Sequence, residues 1–275
     1  MASSFRASRP LSLAHLTIGE VLPPDVPAIA AATGFDSISL RLNSPRSDVP
    51  SPPMIGDTAM RRATRRSLRD NGMRLLNIEA VLLRPDTDVS SYAALFESAA
   101  YLGAEGALVV GLDADEARLI DRFGALAELA APYNVATQLE FMVFSEVKSL
   151  SQAVRIVRIV RGAGAATAGV IVDALHLQRT GGTPADVAAT EPTLLAGVQL
   201  CDGPSTIEAD AIVTEARCDR QFLGEGAFPL SQLLAVIPEA LPVALEIPAE
   251  RLRLRGESAL QRAQRAHDSF TRLFE

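Results

Sequence analysis

The sequence predicts an α/β protein built as a single closed barrel of eight parallel strands, a (β/α)₈ or TIM barrel, and three observations predict it. Short apolar runs of strand length recur eight times, stretches with helical periodicity lie between them, and no break in composition divides the 275 residues. Eight strand–helix units in a chain of this length suit a barrel of about 250 residues better than a doubly wound sheet, which would need fewer units or a second domain. Residues 1–275 are therefore read as one domain.

The strands are expected at Leu11–Leu16, Ser37–Leu42, Leu75–Glu79, Ala107–Gly111, Thr137–Phe141, Gly169–Asp173, Leu195–Leu200 and Val243–Ile247. Helical periodicity marks Asp57–Asp70, Tyr92–Leu102, Asp115–Ala131 and Leu150–Arg161. Gly34, Gly72, Gly103 and Gly164 stand just before strands, where an αβ turn calls for positive φ. The Pro-rich stretch 44–54 follows the second strand and would lie on the catalytic face, as a lid or as a solvated loop. Arg251–Arg265 interleaves Arg with Glu, Leu and Ala, which reads as an amphipathic closing helix rather than a nucleic-acid arm.

Composition excludes several classes. A net charge of −7 and a pI near 5.1 offer no general attraction for phosphate backbones or anionic lipid, so neither nucleic acid nor membrane is expected as a partner. Cys201 and Cys218 form no CxxC pair and no disulfide framework, which fits a reducing, cytoplasmic setting. No signal-peptide pattern follows Met1–Pro10, and no run of about 18 apolar residues occurs. Walker A, GxSxG and HExxH patterns are lacking, and Gly162-Ala-Gly164 precedes a strand where a dinucleotide fingerprint must follow one.

Barrel chemistry is built where strands finish, so polar residues at strand ends inform most. Glu140, Asp173, Gln199 and Glu246 close or follow strands five to eight, and each offers an oxygen ligand. Three carboxylates converging without compensating cations would repel one another, and one divalent metal ion per chain is the simplest remedy. An oxygen-only set favours Mn²⁺ or Mg²⁺, with Co²⁺ as an alternative, over Zn²⁺. His176, three residues after Asp173, is placed beside the metal as a proton-transfer residue and not a ligand; Glu140 and Glu246 share the catalytic assignment. His15, ending the first strand, is a substrate-binding candidate. Glu79 is read either as an acceptor for a substrate hydroxyl or as the partner of Arg41. Arg217 and Arg220 either bind a substrate carboxylate or hold Asp202 and Glu225 in place.

At these residues the chain resembles the xylose isomerase-like barrel family, a group of sugar-phosphate isomerase and epimerase-type proteins, over nearly its whole length. The resemblance is carried by Leu-Glu-Phe at Glu140, Val-Asp-Ala-Leu-His at Asp173–His176, Val-Gln-Leu-Cys-Asp at Gln199–Asp202, Gly-Glu-Gly at Gly224–Gly226 and Leu-Glu-Ile-Pro at Glu246. It implies one divalent metal at the matching positions. The usual third ligand in that family is His; Gln199 here, with the Asp-x-x-His pattern and the Gln-x-x-Asp-x-Pro stretch, is similar to bacterial 3-dehydroshikimate dehydratases of the same family.

The expected activity is that of a metal-dependent lyase, a dehydratase acting on a polyhydroxylated cyclic ketone such as 3-dehydroshikimate through a stabilised enolate. An isomerase or epimerase working on a keto-sugar or cyclitol is the alternative, and a non-catalytic binding barrel a remoter one. Endonuclease IV-type repair enzymes share the barrel but need many His ligands, and this chain has three His in all. The expected partner is a small polar substrate, and a homo-oligomer is left open.

Overall fold

The structure, a computed structural model, describes residues 9–44 and 49–273. All eight expected strands form: β1 (Leu11–Leu13), β2 (Ser37–Arg41), β3 (Arg74–Leu83), β4 (Ala104–Gly111), β5 (Ala136–Glu140), β6 (Gly169–Asp173), β7 (Leu195–Leu200) and β8 (Val243–Leu245). They pair in sequence order, every pair parallel, and β1 closes on β8 through Leu11 opposite Val243 and Leu13 opposite Leu245. The β-rich Val, Ile and Leu runs are buried on both faces, as strands inside a ring of helices require.

The helices in chain order are α1 (Val26–Ala32), α2 (Ala59–Asp70), α3 (Ala93–Leu102), α4 (Glu116–Ala130), α5 (Leu150–Gly162), α6 (Ala174–Arg179), α7 (Pro184–Ala188), α8 (Ile212–Cys218), α9 (Leu230–Val236), α10 (Glu250–Leu254) and α11 (Ala259–Arg272). Their starts follow the caps visible in the chain. Thr58, Asp115, Ser149 and Ser258 each accept a hydrogen bond from the backbone N–H three residues on, satisfying a donor that the first turn leaves free. Gly103 ends α3 in the left-handed conformation (φ 82°), and Gly34, Gly72 and Gly164 also take positive φ before their strands.

Side chains alternate between the barrel axis and the helices, and this sets what reaches the mouth. On β4, Ala107 and Val109 join the main core outside the barrel, while Leu108 and Val110 turn inward to a separate apolar cluster with Leu82 and Met142. On β5, Leu139 faces the core, as does Phe141 just after the strand, and Glu140 lines the interior. Deeper inside, the side chains of Gln138 and Asn77 close over Gly106, where a Cβ would stand 2.5–2.7 Å from them.

Three details depart from the sequence reading. His15 sits in a 3₁₀ turn (His15–Ile18) after a three-residue β1, because the backbone turns in to hydrogen-bond near β8: the Thr17 hydroxyl donates to Leu245 O and accepts from Ile247 N. Glu79 lies within β3, which runs on to Leu83 beside β4. The C-terminal segment is two helices, α10 and α11, separated by a turn with Gly256 at φ 91°. Residues 45–48 of the suspected lid fall outside the described residues; of the rest of 44–54, none lines the cavity at the barrel mouth, and Met54 is fully buried. No helix among the described residues is long and apolar enough to cross a membrane.

Candidate metal centre

The strand register brings the predicted residues together. Glu140 ends β5 opposite Ile171, Asp173 ends β6 directly opposite Gln199 on β7, and Glu246 follows β8 with its N–H on Leu200 O. All four are buried. A cavity of about 290 Å³ opens above them, with Glu79, Glu140, His176, Arg220 and Glu246 in its polar wall and Arg217 near them.

Arg220 corrects the sequence reading. It holds neither Asp202 nor Glu225; its guanidinium enters this cluster, with Nη1 2.6 Å from Asp173 Oδ2 and Nη2 2.9 Å from Glu246 Oε2. Nε donates to Ala216 O at 2.9 Å, so the fork is braced against the end of α8. The expectation that the carboxylates converge without a cation therefore fails for two of them. The preceding helix is fixed by Arg179, which grips Glu215 through Nε and Nη2 at 2.8 and 2.5 Å. Asp202 fastens the segment that follows by accepting the N–H groups of Gly203, Gly224 and Phe228 at 2.9–3.0 Å. Gly226 has no room for a Cβ, which would meet Asp202 Oδ1 and the Gly203 backbone. The Gly-Glu-Gly motif is thus a packing requirement that aims Arg220 at the barrel axis.

Donor atoms remain for a metal even with Arg220 in place. The Glu140 carboxylate accepts no hydrogen bond from the described residues, and the His176 ring stands beside it with Nε2 at 4.0 Å. Gln199 turns its amide nitrogen to Glu246 Oε1 at 3.3 Å, which leaves Gln199 Oε1 buried without a partner; His176 Nδ1 is buried without one too. Such orphaned groups are costly unless something satisfies them. Glu140, Asp173 and His176 bring one donor atom each within 4.8 Å of one another, which sets His176 beside the two carboxylates as the sequence reading placed it. Four carboxylates (Glu79, Glu140, Asp173, Glu246) face the guanidinium groups of Arg41 and Arg220, an excess of two negative charges when all are ionised. The residues fit a divalent metal ion.

The electrostatics follow from burial. Burial first, then the charges of Asp173 and Glu246, push the Glu140 carboxyl well above the ordinary carboxylate range. Burial likewise pushes Glu246 up to about 8 against the pull of Arg220. Burial acts the same way on Asp173, but the Arg220 guanidinium and hydrogen bonds outweigh it and hold its pKa low. His176 is brought down to about 4 by burial, so its ring is neutral at pH 7. Asp173 Oδ1 also accepts the N–H groups of Leu175 and His176 at 2.7 and 3.3 Å, capping α6 and presenting His176 toward the cavity. The edge of that ring meets Phe144, centroids 5.3 Å apart.

The remaining candidates divide. His15 is outside the cavity lining, and both its ring nitrogens are used: Nε2 donates to Val21 O at 2.8 Å and Nδ1 accepts the Arg41 N–H at 3.0 Å. It shapes β1 and β2 and has no free atom for a substrate. Glu79 lines the cavity, accepts from the Ser39 hydroxyl and lies 3.9 Å from Arg41, so both of its proposed surroundings are present. Arg217 stands at the rim with its guanidinium 5.6 Å from the Phe144 ring, and among the described residues it makes no ion pair. Two features went unread in the sequence. Arg220 as the counter-ion left no signal beyond its distance from Gly224-Glu225-Gly226. The inward Leu108 and Val110 did leave one: β4 ends with no polar residue, whereas β5 beside it ends in Glu140 and β3 on its other side carries Glu79.

Residues 27–272 match the family described as xylose isomerase-like TIM barrel. No curated protein sequence is a significant match. Among solved structures, a xylose isomerase-like TIM barrel/4-hydroxyphenylpyruvate dioxygenase fusion protein aligns with a TM-score of 0.78 at 22% identity over 96% of this chain; the chain spans 42% of that longer one. An IolI protein with a bound zinc atom aligns with a TM-score of 0.79 at 18% identity, covering 96% of this chain and 98% of that one. A probable 3-DHS dehydratase, AsbF, from Bacillus anthracis aligns with a TM-score of 0.73 at 15% identity, covering 95% and 98%. At these identities the likeness is one of fold.

Proposed function

The chain belongs to the xylose isomerase-like TIM barrel family, and from that premise we propose that it is a divalent-metal-dependent lyase that dehydrates a cyclic hydroxy-ketone such as 3-dehydroshikimate. The observation that carries the metal is the pair of partnerless donors, the Glu140 carboxylate and Gln199 Oε1, gathered beside Asp173 and Glu246. Glu140, Asp173, Gln199 and Glu246 would hold the ion, with His176 at their edge; the oxygen-rich set suits Mn²⁺ or Mg²⁺, with Co²⁺ as the alternative. When bound, the ion supplies Lewis-acid polarisation of the ketone.

The protein's own residues handle the proton. His176 projects from α6 into the cavity with a free ring nitrogen and carries the proton taken from the carbon beside the ketone. Glu140, 4.0 Å away, is the carboxylate that exchanges it toward the departing hydroxyl. Glu79 accepts a substrate hydroxyl, and Arg217 meets an anionic group at the rim. Elimination is favoured over epimerisation by an asymmetry. An epimerase needs a free base on each face of the substrate carbon, whereas Glu246 is clamped by Arg220 at 2.9 Å and by the Gln199 amide.

The test is a substrate panel with chelator-treated and Mn²⁺-loaded protein: 3-dehydroshikimate, keto-inositols, ketohexoses and 3-keto-glycosides, followed by proton NMR in D₂O. The expected result is loss of water with a new carbon–carbon double bond, in the metal-loaded protein only. Deuterium entering one carbon with inversion and no loss of water would replace the lyase by an epimerase. A folded protein that takes up no metal would remove the reading altogether.

A further inference from the structure

The cavity has two unlike walls. The polar one carries Glu79, Glu140, His176, Arg220 and Glu246; facing it, Leu82, Leu108, Val110 and Met142 form an apolar cluster distinct from the main core, with Phe144 packed against it. The cause is the alternation along β4: Val110 is paired in register with Glu140, so an apolar side chain sits at the height of a ligand, one strand away. Arg84 lines the cavity beyond this cluster, but Leu82, Leu108, Val110 and Met142 themselves offer no hydrogen bond. A sugar with a hydroxyl on every carbon would press some of its hydroxyls against this wall, and each would lose its water partners. At the rim, Arg217 offers a guanidinium with no ion-pair partner among the described residues. The cavity, at about 290 Å³, has room for a small ring with its substituents.

We propose that Leu108, Val110 and Met142 select the substrate: a small anionic carbon ring that is oxygenated along one edge and bare, as CH₂ or unsaturated carbon, on the other. The bare edge lies on the apolar wall, the oxygenated edge faces Glu140 and His176, and the anion meets Arg217. Fully hydroxylated ketoses and cyclitols are rejected by the wall. This rests on the lyase reading for the orientation of the oxygenated edge, but the wall acts without metal.

The experiment is calorimetric titration of the full chain, with and without Mn²⁺, by two anionic six-membered rings. One is 3,4-dihydroxybenzoate, oxygenated along one edge; the other is D-glucuronate, oxygenated all round. The Mn²⁺-loaded protein should bind dihydroxybenzoate at least about tenfold more tightly, and the preference should keep its direction without Mn²⁺. Val110→Thr and Met142→Gln, close in size to the residues they replace, should each narrow the ratio by roughly 5–20-fold while Mn²⁺ uptake stays unchanged. Equal binding of the two rings, or a ratio indifferent to both substitutions, overturns the proposal. A protein that takes up no Mn²⁺ yet keeps the ratio overturns the metal-dependent lyase and leaves the wall standing.

Discussion

Replacing Arg220 by Met keeps an unbranched apolar stem and removes the guanidinium with its charge. In the wild-type chain the guanidinium is almost wholly buried and touches Asp173 at 2.6 Å, Glu246 at 2.9 Å and the Ala216 carbonyl at 2.9 Å. Taking one partner out of a buried ion pair costs about 3–5 kcal/mol, because the charges left behind have neither water nor a counter-ion. At roughly 2–3 °C per kcal/mol for a chain of this size, Tm should fall by about 6–15 °C. The loss should be recoverable. With the internal cation gone, the carboxylates hold a larger negative excess, so Mn²⁺ should bind Arg220→Met more tightly than wild type and raise its Tm by more. Thermal melts after chelator treatment, repeated across a Mn²⁺ titration, measure both effects. A variant that melts within about 1 °C of wild type would refute the placement of the guanidinium. A Tm that falls but gains no more from Mn²⁺ than wild type would refute the shared site.

His176→Asn should lower kcat by roughly 10²–10⁴-fold, the usual share of a proton-transfer group, with the fold intact by circular dichroism; unchanged turnover would return His176 to a structural role. Gly226→Ala puts a methyl group into the Asp202 side chain and 2.6 Å from the Gly203 nitrogen, so it should destabilise the chain by about 1–3 kcal/mol and loosen Arg220. Its denaturant midpoint checks this, and a wild-type midpoint would show that the loop gives way freely. Asp113 is held below the ordinary carboxylate range chiefly by hydrogen bonds from Arg118, with Arg122 adding its charge. A depressed folded pKa contributes stability above the unfolded value, near 4, that is lost as pH falls through the folded one. Asp113→Asn should therefore melt below wild type at pH 7 and approach it as pH drops under about 4; a gap independent of pH would exclude the ionic contribution.

The fold was legible because its signal is periodic and local. Apolar runs such as Gly169–Asp173 and Leu195–Leu200 can be counted in the chain, and caps such as Thr58 and Ser149 announce the helices that follow. Glu140, Asp173, Gln199 and Glu246 were legible for the same reason: each finishes or follows an apolar run, and parallel strands in a barrel deliver their ends to one face. Position along a strand fixes that much without any contact being known.

What the tertiary structure decided are the contacts between segments far apart in sequence. Arg220 reaches Asp173 across 47 residues and Glu246 across 26, and the Asp202-fastened turn, the Arg179–Glu215 pair and the Ala216 carbonyl aim it there. Both ring nitrogens of His15 are committed because the chain presents Val21 O and the Arg41 N–H to them. The apolar wall lay between: the alternation of β4 is written in the sequence, but that Leu108 and Val110 face the cavity and not the helices depends on the inward phase of the strand. Hydrophobic patterning follows from the order of residues alone, whereas a buried charge finds its partner only after the chain has closed around it.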